Sequence, residues 1–358
     1  MIGIEMTGKS IHIVSGCLTG KGVRISDAFS IPTPWGAIRN GYIKNSKGLA
    51  AELRGALLDH NLVKEKQVCF VVDGTALKRK EVEVPVEKRE IILQIMQREM
   101  GELIADEDHV IDYIVKKNFK KNNKKYMRCI LYAIPKIFLR DYMGLCEEGG
   151  LNLKNIDTLN ESIIKQLDKK DKGIIKEQIT DSMRKKKTNK KKNPNKKKAE
   201  SIDNYEDESE VETDGYKRVS IEGKVKLWIG LYYEKIKIMT NGIDGDIFTK
   251  TIMLEGLNVN LGEDTEYESE IESEKNMMIL YIKEIKQFIA FQKSVLPDQP
   301  VESIYLYGEF SMLAKMCELT EAMVDHPTTY INIPKVVKGI SITDYPKYAG
   351  AIGCLLRS

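Results

Sequence analysis

The stretch that decides the fold opens the chain: Met1-Ile2-Gly3-Ile4-Glu5-Met6-Thr7-Gly8-Lys9-Ser10-Ile11. Apolar residues alternate from Ile2 to Met6, which is typical of a β-strand. Thr7–Ser10 holds a glycine between hydroxyl side chains and predicts a tight turn. A second strand follows at Ile11–Ser15. The chain therefore begins with a predicted β-hairpin.

The first half of the chain continues with a third strand, a helix and a buried strand. The third strand is predicted at Val23–Ile31, and Ser46 is a candidate helix cap. Three leucines four residues apart, at 49, 53 and 57, give the helix its apolar face. Val68–Val72 is short and wholly apolar, as in a strand covered on both sides. The order is β-β-β-α-β.

The same order of elements returns in the second half. Strands are predicted at Val225–Ile229, Lys235–Met239 and Ile247–Leu254, with Gly230–Tyr233 as the first turn. A helix over about 273–294 precedes a short buried strand at Ser303–Tyr307. Two such halves facing each other across a cleft would form an α/β, actin-like (ribonuclease H-like) two-lobed fold, although this element order also occurs in ordinary α+β domains.

An extra segment interrupts the first lobe. A strand at Val82–Val86, an amphipathic helix at Glu87–Ile104 and a hairpin around Asn122-Asn123 predict a small inserted subdomain at about 76–150. The expected division is a first lobe at 1–160, a linker at 161–220 with a disordered, charged part at about 183–215, and a second lobe at 221–358.

Charge is concentrated in the predicted linker. Arg184–Lys198 carries ten basic residues and no acid, whereas 199–214 carries eight acids and no base. The basic part is a candidate contact for an anionic membrane surface, or a solvated linker, and without interleaved aromatic residues it does not indicate nucleic-acid binding. The six cysteines show no disulfide or metal spacing, and the start does not look like a signal peptide, so a cytoplasmic protein is expected.

Several stretches together resemble the PilM family of type IV pilus assembly proteins. They are Met1–Ile11, Gly36-Ala37-Ile38-Arg39-Asn40-Gly41-Tyr42-Ile43, Val82–Pro85 and Tyr348–Gly353. The resemblance implies a cytoplasmic actin-like protein, related to FtsA, that binds ATP and grips the N-terminal tail of the single-span inner-membrane protein PilN. It implies a partner groove between the first lobe and the inserted subdomain. The candidate groove residues are Ile38, Tyr42, Ile43, Val82, Val84, Ile111 and Tyr113.

The resemblance also implies a nucleotide cleft with ATP and Mg²⁺, whose motifs this chain keeps only in part. The candidate residues are Glu5, Thr7, Gly8, Lys9, Ser10, Gly230, Gly308 and Glu309. Glu5 stands where the family has aspartate, Trp228 stands at the expected acid of the second turn, and Glu309 replaces a glycine. Either ATP binds weakly through the first turn, or Thr7–Ser10 is only a hairpin turn and the cleft is empty.

These departures predict a scaffold rather than a turnover enzyme, because phosphoryl transfer depends on positioned charge. No catalytic residue and no metal site is assigned. The expected function is an adaptor of a type IV pilus or related secretion apparatus, held at the inner face of the membrane by its partner. Two alternatives remain: an ATPase whose nucleotide state controls assembly, and an FtsA-like cell-division adaptor.

Overall fold

The computed structural model describes residues 1–20, 22–104, 108–167, 224–241, 247–254, 267–297 and 299–356, and over 267–272 it describes the backbone alone. The linker predicted at 183–215, with the basic stretch Arg184–Lys198, lies outside the described residues. Within them, no helix is both long enough and apolar enough to cross a membrane.

Sixteen strands and seven helices make up the described parts of the chain. The strands are β1 Ile2–Met6, β2 Ser10–Thr19, β3 Gly22–Pro32, β4 Ile38–Arg39, β5 Tyr42–Ile43, β6 Gln67–Val72, β7 Lys78–Pro85, β8 His109–Lys121, β9 Lys124–Pro135, β10 Asn152–Thr158, β11 Val225–Tyr232, β12 Lys235–Asn241, β13 Ile247–Met253, β14 Val301–Tyr307, β15 Thr328–Tyr330 and β16 Val337–Lys338. The helices are α1 Ser46–Asp59, α2 Arg89–Met100, α3 Lys136–Gly149, α4 Leu159–Gln166, α5 Tyr267–Val295, α6 Leu313–Val324 and α7 Tyr345–Gly353.

Two large sheets confirm the duplicated architecture. The first has the strand order β10-β6-β1-β2-β3-β16 and the second β13-β12-β11-β14-β15. In each sheet an antiparallel hairpin is joined through its first strand to a parallel strand: β1 pairs with β2 and β6, and β11 pairs with β12 and β14. Helices α1 and α3 cover one face of the first sheet, and α5 and α6 cover one face of the second.

A third apolar core joins the two lobes. Strand side chains on the inner faces of both sheets, such as Val14 and Trp228, pack there around α4 and α7. The C-terminal residues return to the first lobe, since β16 pairs with β3 and α7 packs on β1 and β2. The second lobe is therefore smaller than the predicted range 221–358.

The inserted subdomain is a three-stranded sheet, β7-β9-β8, with α2 on one face. It runs from Lys78 to Pro135 rather than over the predicted 76–150, because α3 packs on α1 in the core of the first lobe. Asn122 and Asn123 both have positive φ, at 50° and 58°, as a two-residue type I′ hairpin requires. The predicted hairpin is thus confirmed and is longer than expected.

The turn in the second lobe is not where the sequence suggested. Strand β11 continues through Gly230 to Tyr232, which pairs with Lys235, so the turn is Tyr233–Glu234. The predicted turn at Gly230–Tyr233 is wrong because aromatic residues packed against the glycine extend the strand: a Cβ on Gly230 would lie 2.7 Å from the Tyr307 ring. When the two hairpins are aligned on their turns, Gly230 occupies the position that Glu5 occupies in the first hairpin. Trp228, assigned to the acid position, lies two residues further down the strand and stacks on Tyr305.

Candidate functional site

The cleft between the lobes is closed by two carboxylates that cross it in opposite directions. Glu309, just beyond β14 of the second lobe, accepts hydrogen bonds from the hydroxyls of Thr7 at 2.6 Å and Ser10 at 2.7 Å. The imidazole Nε2 of His12 lies 3.7 Å from the same carboxylate. The hydroxyls of the first turn thus already bind the Glu309 carboxylate, an anion that the protein itself supplies.

The second carboxylate, Asp73, lies just beyond β6 of the first lobe and crosses the other way. Its two oxygens lie 2.6 Å from the Lys235 ammonium and 2.5 Å from the Lys237 ammonium, both on β12. The two contacts occupy equivalent positions in the two lobes. Glu309 contacts Ser10 and His12 in the second strand of the first hairpin, and Asp73 contacts Lys235 and Lys237 in the second strand of the other hairpin. We call this pair of contacts the crossed carboxylates.

The pKa shifts agree with ionised crossed carboxylates. Burial would raise the pKa of Asp73, but Lys237 and Lys235 together outweigh it and hold the pKa far below its usual range. Burial would likewise raise the pKa of Glu309. The nearby His12 imidazole and the hydrogen bonds from the Ser10 and Thr7 hydroxyls lower it on balance. Both side chains are therefore charged at neutral pH and held by their partners.

The pKa of Glu5 shifts in the opposite direction. It is buried beneath the first turn and accepts a hydrogen bond from the Tyr232 hydroxyl at 2.9 Å. Burial raises the pKa of Glu5, and His12 and the Tyr232 hydroxyl offset this only in part. The predicted Mg²⁺-binding acid is therefore sealed into the core between the lobes.

The rest of the first turn lies against the second lobe. A Cβ on Gly8 would lie 2.0 Å from a Glu234 carboxylate oxygen, and the Lys9 ammonium lies 3.4 Å from the centre of the Tyr233 ring. Gly308 has a φ of 115°, and its amide donates to the Pro346 carbonyl at 3.0 Å. The Gly308 amide and the Lys9 ammonium thus already have partners in the protein, and Glu234 occupies the space beside Gly8.

The remaining space does not fit a nucleotide. The cavity lined by these side chains has a volume of about 10 Å³, enough for one water molecule at most. Asp73, Glu234 and Glu309 line it with Lys235 as the one basic residue in the described part of its wall, so the wall is net acidic and disfavours phosphate. In addition, the described residues contain no cluster of three or more His, Cys, Asp or Glu side chains that could hold a metal. The closed cleft therefore has too little room for ATP.

The predicted groove residues lie in two separate cores. Ile38 and Ile43 are buried in the first lobe, and Val82 and Val84 are buried beneath α2. Tyr42, Ile111 and Tyr113 are half-buried. Tyr42 packs edge-on against Phe138 of α3, and β8 begins opposite Pro135, directly before α3. Of the predicted groove residues, these three are accessible enough for side-chain contact with a partner, and that contact stays a prediction.

Sequence reasoning missed the most exposed large apolar side chain in this region. Trp35 is 79% exposed and precedes β4 in the chain. Exposed tryptophan is unusual, and tryptophan is enriched among the residues that dominate binding energy at interfaces. Its place in Pro34-Trp35-Gly36, a turn without a core partner, was the available signal.

The fold and the cleft together define the class: the chain has the actin-like ATPase fold. Compared with solved structures, it is similar over 99% of its length to the protein of a PilM–PilN type IV pilus biogenesis complex, with a TM-score of 0.67, 14% identity and 97% of that chain covered. The resemblance to PilM drawn from the sequence is confirmed at the level of the fold.

Two further solved structures show weaker similarity. One is a Bacteroides thetaiotaomicron protein with an actin-like ATPase fold and unknown function, at TM-score 0.39 and 9% identity, covering 92% of this chain and 90% of that one. The other is the cytoplasmic domain of EpsL, an inner-membrane component of the Vibrio cholerae type II secretion system, at TM-score 0.36 and 7% identity, covering 70% of each chain. No protein-family model and no curated protein sequence matches the chain.

Proposed function

We propose that this chain is a cytoplasmic adaptor of a type IV pilus or related secretion apparatus. The observation that carries the proposal is the end-to-end similarity to the protein in the PilM–PilN complex. The partner would be a PilN-like single-span membrane protein whose N-terminal cytoplasmic tail binds beside the inserted subdomain and holds the adaptor at the inner face of the membrane. The basic stretch Arg184–Lys198 would add contact with anionic lipid.

The crossed carboxylates support a scaffold over a nucleotide-driven cycle. In the proposed role the cleft is a permanent joint, since Glu309 and Asp73 take the place of an anionic ligand between the lobes. ATP hydrolysis would need charge and space that the closed cleft does not offer. We therefore favour the adaptor over the ATPase that cycles with nucleotide.

The tail would bind along β8, which is an edge strand of the sheet β7-β9-β8 among the described residues and lies next to α3. An extended peptide can add to such an edge through backbone hydrogen bonds, with side-chain pockets giving specificity. Tyr42, Ile111 and Tyr113 would line the contact, and Trp35 would cover one end of the tail.

The test measures calorimetric binding of the full-length chain to the N-terminal tail of the single-span membrane protein encoded beside it. We expect Trp35→Ala to weaken the affinity by about 2 kcal/mol, roughly thirtyfold. The matched control is Phe291→Ala, an aromatic residue that is 59% exposed on α5 of the other lobe. Failure of the wild-type chain to bind the tail refutes the partner, and equal loss in both variants refutes the site. Tight Mg²⁺-dependent ATP binding with turnover would favour the ATPase.

A further inference from the structure

The loop that carries Asp73, residues 73–77, joins three parts of the molecule. It follows β6 of the first lobe and leads directly into β7, the first strand of the inserted subdomain. Its Asp73 carboxylate binds the second lobe through Lys235 at 2.6 Å and Lys237 at 2.5 Å. A displacement of this loop would therefore break one of the two crossed-carboxylate contacts. We call residues 73–77 the Asp73 loop.

A tight turn holds the Asp73 loop in place. Asn40 and Gly41 form the two-residue turn between β4 and β5, and their φ angles of 50° and 79° fit a type I′ turn. The side-chain amide of Asn40 donates to the Thr75 hydroxyl at 2.6 Å, and its oxygen accepts from the Thr75 backbone amide at 2.9 Å. A Cβ on Gly41 would lie 2.1 Å from the Asp73 carbonyl oxygen, so the two backbones are in close contact. We call these contacts the Asn40 clamp.

The same hairpin is packed on its other side against α3, which borders the predicted partner groove. Tyr42 directly follows the turn, and its ring lies edge-on to that of Phe138 with centres 5.2 Å apart. The Tyr142 hydroxyl donates to the Gly41 carbonyl at 3.2 Å, and the Tyr142 ring stacks on Phe138. The hairpin is thus held between α3 and the Asp73 loop. A peptide that packs on Tyr42 would therefore act on the clamp through a short series of direct contacts.

We propose that the Asn40 clamp couples the predicted partner groove to the junction between the lobes, with Asn40 as the residue that positions Asp73. This inference rests on the proposed function, because the groove is where the partner's tail is proposed to bind. A tail that holds Tyr42 against α3 keeps the turn in place, and the turn keeps Asp73 beside its lysines. Because such coupling is reciprocal, the closed junction favours tail binding and the bound tail favours the closed junction.

The reactivity of Lys235 measures whether Asp73 is in position. Burial would lower the pKa of Lys235, but the neighbouring Asp73 carboxylate outweighs it and raises the pKa above its usual value. A protonated ammonium is not acetylated, so Lys235 should react slowly while Asp73 remains beside it. Asn40→Gly removes both side-chain hydrogen bonds and keeps a residue that readily adopts positive φ. We expect Lys235 in this full-length variant to be acetylated about fivefold faster, as read by mass spectrometry.

A matched control separates the clamp from a general effect of the substitution. Asn122 also has a φ of 50° in a two-residue turn, that of the β8–β9 hairpin, and Asn122→Gly should leave the Lys235 rate unchanged. Lys224, which is 69% exposed in the same lobe as Lys235, serves as the reference for reagent activity. An unchanged Lys235 rate in Asn40→Gly, or an equal increase in both variants, overturns the positioning role of Asn40.

The partner's tail then tests the coupling to the groove. The probe is the N-terminal tail of the single-span membrane protein encoded beside the chain, added at a saturating concentration determined by calorimetry. We expect it to slow Lys235 acetylation about fivefold in the wild type and to have no such effect in Asn40→Gly. A tail that binds the wild type without changing the Lys235 rate, or that slows both proteins equally, overturns the coupling. A tail that does not bind overturns the proposed partner and the coupling together, whereas the positioning role is decided by Asn40→Gly in the free chain.

Discussion

Replacing Glu309 by alanine should weaken the junction between the lobes by an amount that the structure allows us to work out. The carboxylate accepts two charge-assisted hydrogen bonds, at 2.6 and 2.7 Å, from Thr7 and Ser10. Such bonds contribute about 1.5–3 kcal/mol each, which gives about 3–6 kcal/mol for the pair. Both hydroxyls have a second partner nearby, the Ser10 carbonyl at 3.0 Å and the His12 imidazole at 3.2 Å. We therefore expect a loss of about 2–4 kcal/mol.

The assay is urea unfolding at pH 7.5 together with thermal unfolding, where this loss corresponds to a fall in Tm on the order of 5–10 °C. Glu309→Gln keeps the volume and one acceptor oxygen but removes the charge, so it should cost about half as much. The control is Glu318→Ala on α6, whose side chain is 71% exposed and pairs with Lys315 at 3.1 Å. Surface pairs of this kind contribute about 0–1 kcal/mol.

The sign of the pH dependence gives a second check. The pKa of Glu309 is lowered in the folded chain, so its stabilising effect is present above the ordinary value of 4.5 and is lost as the pH falls through the lower folded value. The difference between wild type and Glu309→Ala should therefore be constant near neutrality and shrink in acid. A loss below about 0.5 kcal/mol at pH 7.5, or one equal to that of Glu318→Ala, would refute the reasoning about the cleft.

Three further predictions concern buried charge and close packing. Asp73→Asn leaves its two buried lysine partners without a counter-charge and should cost about 3–5 kcal/mol in urea unfolding, more than any exposed Asp→Asn change. Glu5→Gln should raise Tm at pH 8 and have no effect below pH 4.5, because a raised pKa means that stability is lost as pH rises through the folded value; a lower Tm at pH 8 contradicts this. Gly350→Ala should destabilise, since its Cβ would lie 2.2 Å from a Glu5 oxygen, whereas Gly144→Ala, with no atom within 4 Å, should gain up to about 1 kcal/mol in thermal unfolding.

Much of the fold could be predicted from periodicity and element order. Alternation in Ile2–Met6, the leucine spacing of α1 and the short apolar run at 68–72 each indicated an element that the structure contains. The duplication then indicated two lobes. The turn of the second hairpin was misplaced because Gly230 suggested a turn, whereas contact with Tyr307 fixes it in a strand. Such packing against residues far along the chain cannot be read from local composition.

The candidate site was predicted in its members but not in its arrangement. Thr7, Ser10 and Glu309 were singled out, yet Glu309 was identified only as the residue that replaces a glycine and not as the acceptor for the two hydroxyls. Asp73, Lys235 and Lys237 were not singled out at all. Asp73 and its lysine partners are more than 160 residues apart in the sequence, and they come into contact only because the two lobes pack together. A single sequence does not indicate which residues meet across such a separation.

The reciprocal exchange between the lobes makes each half of the molecule incomplete. The first half presents Asp73 and the second presents Glu309, each with its partners on the opposite half, and α7 with β16 belongs by contact to the first sheet although it comes last in the chain. A chain cut within 168–223 should thus yield two fragments that reassemble when mixed. If each fragment were fused to half of a fluorescent protein, fluorescence in living cells would report whether the two fragments assemble at the same location.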